Sequence, residues 1–209
     1  MTALDELRPK VDAFRRLATE RGLDVRIEEP VPLPVIDDCP PGVRDAFSLF
    51  SLVEGSFFRF AVPPEILDEQ AWLAIPVYEH RPINEVIAIG AELWQSQYQT
   101  RFQDKFEGEP IVMDIVRGDV YFADADAWMQ VDESPDDDFE PHEFAPDVPT
   151  FFNEFVFGPR YPELVTTVLG AGSLTHRVAK GPDKGELSDT WLRLLLAAGV
   201  VSELPEGQA

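Results

Sequence analysis

Ile111-Val112-Met113-Asp114-Ile115, followed after Val116 and Arg117 by Gly118-Asp119-Val120-Tyr121-Phe122, is the stretch on which the fold turns. Both runs are rich in β-branched and aromatic residues, and the link Val116-Arg117-Gly118-Asp119 supplies a turn containing a glycine. The pair reads as a β-hairpin. Working outward, residues 56–60, 72–77 and 85–89 have strand composition on the N-terminal side, and residues 128–131 add a further candidate strand on the other. Residues 25–27 fit a short edge strand.

Helical patterns bracket these strands. Leu4, Leu7, Val11, Phe14 and Leu17 recur at steps of three and four over residues 2–22, with Thr2 and Asp5 as a capping pair and Gly22 at the C′ position. Pro9 is awkward inside that helix, so its regular part is expected to begin near Pro9. A second helix is predicted over 41–54, where Val43, Phe47, Phe50 and Val53 share a face and Gly55 closes it. Residues 148–156 and 162–169 read as helices, with Phe151, Phe152 and Phe155 in the core. Ser188 is the expected cap of a last helix reaching Ala198, with Trp191, Leu194 and Leu195 on its apolar side. In the segment 90–108, Trp94, Tyr98, Phe102 and Phe106 recur every fourth residue, which suits an exposed helix or an irregular hairpin. The expected class is α+β, a largely antiparallel central sheet flanked by helices and covered on one side. The expected organisation is an N-terminal helix and strand (1–30), a central domain (31–169), and a linker with a C-terminal helix (170–209).

Composition narrows the function classes. The 209 residues are 44% hydrophobic, with 15 Phe and 4 Trp, so the chain can bury a real core and is not an acidic disordered protein. A net charge of −22 disfavours direct binding to nucleic acid, since phosphate neutralisation needs clustered Lys and Arg. It equally disfavours anionic membranes, while mimicry of nucleic acid stays open. The single Cys39 allows no intrachain disulfide and is expected to be an inert thiol. No signal peptide is read at the N-terminus and no apolar run reaches about 18 residues, so a cytoplasmic location is expected.

The acidic residues are unevenly placed. Residues 118–159 contain twelve of the 39, with no Lys or Arg. The densest part holds Asp132, Glu133, Asp136, Asp137, Asp138 and Glu140. One reading is a solvated loop that aids solubility. The other is a negative surface for a basic protein partner, in which charge gives on-rate and specificity while aromatic anchors give binding energy. The partner-binding set is then Asp132, Glu133, Asp136, Asp137, Asp138, Phe139, Glu140, Glu143 and Trp128, with Phe144 as a second apolar anchor.

Catalytic signatures are missing: there is no GxSxG elbow, phosphate-binding glycine loop or HExxH. His142 and Glu143 with Asp124, Asp126 and Asp132 can be imagined around a hard cation, but their spacing matches no EF-hand. Asp119, Asp124 and Asp126 would need unequal burial to act as acid and base, and capping at a strand end explains them more simply. No catalytic residue, metal or cofactor is expected. His80 and His176 read as surface residues.

Three motifs resemble the SUKH superfamily. Phe47-Ser48-Leu49-Phe50-Ser51-Leu52-Val53-Glu54-Gly55 resembles its first helix and glycine turn, and Gly118-Asp119-Val120-Tyr121-Phe122-Ala123-Asp124 its central hairpin strand. Val148-Pro149-Thr150-Phe151-Phe152-Asn153-Glu154-Phe155 resembles the helix where the family often carries a serine-phenylalanine-acidic pattern. The likeness spans roughly residues 35–160; the Gln-rich insert and the tail after Gly170 depart from the pattern. It implies a non-catalytic α+β module. Bacterial members are commonly immunity proteins that neutralise a toxin domain, often a nuclease, and fungal members are regulatory scaffolds of cell-wall signalling.

Overall fold

The computed structural model describes residues 2–75, 86–93, 108–122 and 141–202. Its centre is a seven-stranded, wholly antiparallel sheet in sequential order: β1 (Arg26–Ile27), β2 (Leu52–Glu54), β3 (Phe58–Ala61), β4 (Val86–Glu92), β5 (Pro110–Asp114), β6 (Val120–Phe122) and β7 (His142–Ala145). A meander of this kind asks only for local connections between neighbours. The helices are α1 (Ala3–Arg21), α2 (Val43–Phe47), α3 (Pro64–Leu67), α4 (Glu69–Leu73), α5 (Val148–Phe151), α6 (Tyr161–Leu169) and α7 (Thr190–Ala197). The α+β class read from the sequence is the class observed.

α1 begins at Ala3, not at Pro9. Thr2 and Asp5 form a full capping box, and Gly22 closes the helix in the left-handed conformation with its N–H on the Ala18 and Thr19 carbonyls. Pro9 is tolerated because it lies on the exposed face. Water there can serve the Asp5 carbonyl that Pro9 has no N–H to reach.

Two expected elements change type. Val43, Phe47, Phe50 and Val53 are all buried, as the shared face required. Yet the helix stops at Phe47 and the chain pairs as β2 between β1 and β3. Apolar spacing marks what is buried, and strand pairing decides the backbone. Trp72 lies on α4, not on a strand, because Asp68 accepts a hydrogen bond from the Gln70 N–H and caps a helix there. Residues 76–85, 94–107 and 123–140 lie outside the described part, and with them the rest of that expected strand, the 128–131 strand, His80 and the aromatic insert.

Ile111, Met113 and Val120 join one continuous apolar cluster with residues of α1, α5 and α7. Phe14 of α1, Phe157 and Trp191 of α7 are mutually in contact, with centroids 5.4–6.2 Å apart. Phe50 and Phe152 meet edge to face at 4.8 Å. α5 runs on into a π-helical turn, Phe152–Val156, which turns Phe152, Phe155 and Val156 into this cluster. The second face of the sheet is not bare, contrary to expectation. Val112 and Tyr121, partners in register, are buried there and stand outside the main cluster.

Residues 170–185 carry a 3₁₀ turn, Ala171–Thr175, whose Leu174 is buried, and a bridge ties Arg177 to Leu187 just beyond them. The last helix is capped by Asp189, one residue beyond the expected Ser188. Its carboxylate accepts from the N–H groups of Trp191 and Leu192. The β1 edge is stoppered by Arg15, whose guanidinium donates to the carbonyls of Ile27, Glu28 and Leu49. A short edge strand covered in this way offers little to a passing strand.

Candidate partner-binding site

The β5–β6 hairpin is held by its own polar residues. Asp114, fully buried, accepts from the N–H groups of Val116 and Arg117 at 2.8 and 2.9 Å, which tightens the turn. Gly118 completes it with φ +85°, a conformation that L side chains rarely adopt. Arg117 lies 3.5 Å from the Asp114 carboxylate and 3.2 Å from that of Asp119, and donates to the Tyr121 hydroxyl at 2.8 Å. Tyr121 in turn donates to Asp119 at 2.7 Å. Burial, and then the Asp119 carboxylate, pushes the Tyr121 phenol well above its ordinary range. Asp119 is therefore a structural acceptor at the turn.

β6 and β7 are antiparallel neighbours, and Phe122 faces His142 in register. The chain leaves the sheet at Phe122 and returns at His142. The intervening 123–141 carries eight acidic residues and no Lys or Arg. Both ends of the acidic segment are thus fixed side by side at one end of a hydrogen-bonded ladder.

The basic residues that bracket this stretch are committed elsewhere. Arg117, the last before it, binds Asp114, Asp119 and Tyr121 as above. Arg160, the first after it, is 3.3 Å from Glu154 and 2.8 Å from Glu163, and its guanidinium lies 4.0 Å over the Phe155 ring. The Arg160 contact holds Glu163 below the usual carboxylate range.

Of the predicted binding residues, Glu143 is described: it is exposed on β7, opposite Tyr121. Asp132, Glu133, Asp136, Asp137, Asp138, Phe139, Glu140 and Trp128 lie outside the described residues, as do Asp124 and Asp126. His142 and Glu143, expected in a loop, belong to a strand. Phe144 is not an exposed anchor. It is 4% exposed and packs on Phe155 and Phe151, with centroids 5.2 and 5.8 Å away. Strand alternation turns Phe144 inward as it turns Glu143 out. As a whole, His142-Glu143-Phe144-Ala145 shows no polar–apolar alternation, its first two residues being exposed and its last two buried, so between Pro141 and Pro146 it passes for loop.

Among the described residues no group of three His, Cys, Asp or Glu is arranged to hold a metal ion, and no helix is long and apolar enough to cross a membrane. His176 is exposed and shares a 2.8 Å hydrogen bond with the Ser188 hydroxyl. Burial pushes the Cys39 thiol up to about 11. Compared with protein-family models, with curated proteins and with solved structures, the chain matches none of them.

Proposed function

We propose that this protein is a non-catalytic binding module that occludes a basic protein partner with the acidic segment 123–141. The carrying observation is one of charge and attachment: a run without Lys or Arg is pinned between paired Phe122 and His142, while Arg117 and Arg160 on either side are engaged by other carboxylates. The run has no basic residue of its own to offset its charge. A field of this kind steers a cationic partner and speeds its encounter. Asp136, Asp137 and Asp138 pair with Lys or Arg on the partner, and Phe139 or Trp128 supplies the desolvated anchor. The resemblance to SUKH domains supports a toxin domain as the partner and immunity as the role. A nuclease suits it chemically, because a nuclease is basic where it meets phosphate.

The test is co-purification with, and calorimetric titration against, the product of the neighbouring gene. A basic toxin domain that binds and loses its activity supports the reading. A neighbouring toxin domain that neither binds nor is inhibited overturns the immunity role.

A further inference from the structure

α1 and α7 lie side by side with a groove of about 620 Å³ between them, lined on the α1 side by residues from Pro9 to Glu20, among them Lys10, Ala13, Arg16 and Leu17, and on the other by Ala197, Ala198 and Val200. Ala13, Ala197 and Ala198 are exposed and small, so another helix can approach closely at these three positions, beside the exposed Arg16. None of these residues belongs to β6, β7 or the segment between them.

The α1 wall has an ordered pattern. Lys10 stands near one end and Glu20 at the other, with small Ala13 and larger Leu17 between them alongside Phe14 and Arg16. About a midpoint level with Arg15, Lys10 mirrors Glu20 and Ala13 mirrors Leu17. Reversing the helix therefore sets a cation against an anion at both ends and a large side chain against a small one at both central positions. This is the self-complementarity that a two-fold interface requires. Residues ten apart are nearly three turns apart, so these positions share one face of the helix. Lys10 is half-buried and donates to the Asn153 carbonyl and side-chain oxygens at 2.9 and 2.6 Å, which holds its ammonium in place with a third N–H left over.

We propose that a second copy of this chain fills the groove, α1 packing antiparallel on α1 about a two-fold axis. Lys10 of each copy then meets Glu20 of the other, and Leu17 of each seats over Ala13 of the other, with Ala197 and Ala198 as the outer wall. The segment 123–141 takes no part in this contact.

Charge at Glu20 separates this interface from general charge effects. At −22 per chain, removing negative charge relieves repulsion and on its own tightens any self-association. Glu20→Lys instead places Lys10 against a lysine twice per dimer. Sedimentation equilibrium of the full chain at moderate salt is expected to show a monomer–dimer equilibrium. It should weaken roughly fivefold in Glu20→Lys and more than about tenfold in Ala13→Arg, which fills the groove with a charge. Ala197→Arg tests the same groove from the opposite wall, should Ala13→Arg lose its helical circular dichroism. A wild-type chain that stays monomeric up to sub-millimolar concentration overturns the proposal. So does a dimer tightened by Glu20→Lys, or one that both arginine variants leave intact.

Discussion

Tyr161 donates a 2.8 Å hydrogen bond to Asp189, and both side chains are closed off from solvent. Asp189 also accepts from the Trp191 and Leu192 N–H groups, and the Trp191 indole N–H reaches back to the Val156 carbonyl at the end of the π-helical turn. One buried carboxylate thus ties α6 to the start of α7, and the tryptophan beside it ties α7 to the π turn.

That carboxylate makes stability depend on pH. Burial outweighs its three hydrogen bonds and raises Asp189 to about 6 from an ordinary value near 4. A raised value means the folded state holds the proton more tightly than the unfolded chain. The contribution is complete below about pH 4 and is lost as the pH climbs through about 6. Two units correspond to about 3 kcal/mol. Asp189→Asn keeps an acceptor for the helix N–H groups and cannot ionise. Urea unfolding of both proteins from pH 4 to 7 should show wild type losing up to about 3 kcal/mol relative to the variant. A constant difference across that range would remove Asp189 as the cause.

Cys39 should be a poor nucleophile. With its thiol raised to about 11, only about one molecule in a thousand carries the thiolate at pH 8. A disulfide reagent added at pH 8 is expected to react slowly with the folded protein and quickly after unfolding. Equal rates in the two states would show that burial does not protect this group.

Gly90 should resist substitution. It sits opposite Phe60 where β4 shifts register against β5, and a Cβ there would run into the Phe60 ring. Gly90→Ala is expected to cost about 1–3 kcal/mol through overpacking. Thermal unfolding reads this directly. Gly172→Ala, where nothing lies within 4 Å of the added carbon, is the control and should change stability little.

Much of the fold was legible because local chemistry and burial agree. Thr2, Asp5 and Gly22 delimit α1, and the hairpin around Gly118 stands where its composition put it. What misled was apolar spacing at Phe47, Phe50 and Val53, which suits a helix as well as a chain that turns into a strand. Partners far along the sequence, β1 and β3, decide that case. At the candidate site the charge was legible, but its attachment was not. That Phe122 and His142 pair, and that Phe144 faces the core, depends on β7, whose four residues carry too short a pattern to be read alone. The roles of Arg117 and Arg160 were equally hidden, since each is fixed by where its carboxylate partners come to lie.

The central claim is that the acidic segment is the binding surface, and its direct test is the rate of association with the basic partner proposed above, sought in the product of the neighbouring gene, at several salt concentrations. Asp136→Asn, Asp137→Asn and Asp138→Asn are combined in one chain and compared with wild type. The account predicts slower association by about tenfold or more at low salt and a flatter dependence on salt, since the steering charge is gone. A triple variant that associates at the wild-type rate with the wild-type salt dependence would contradict it.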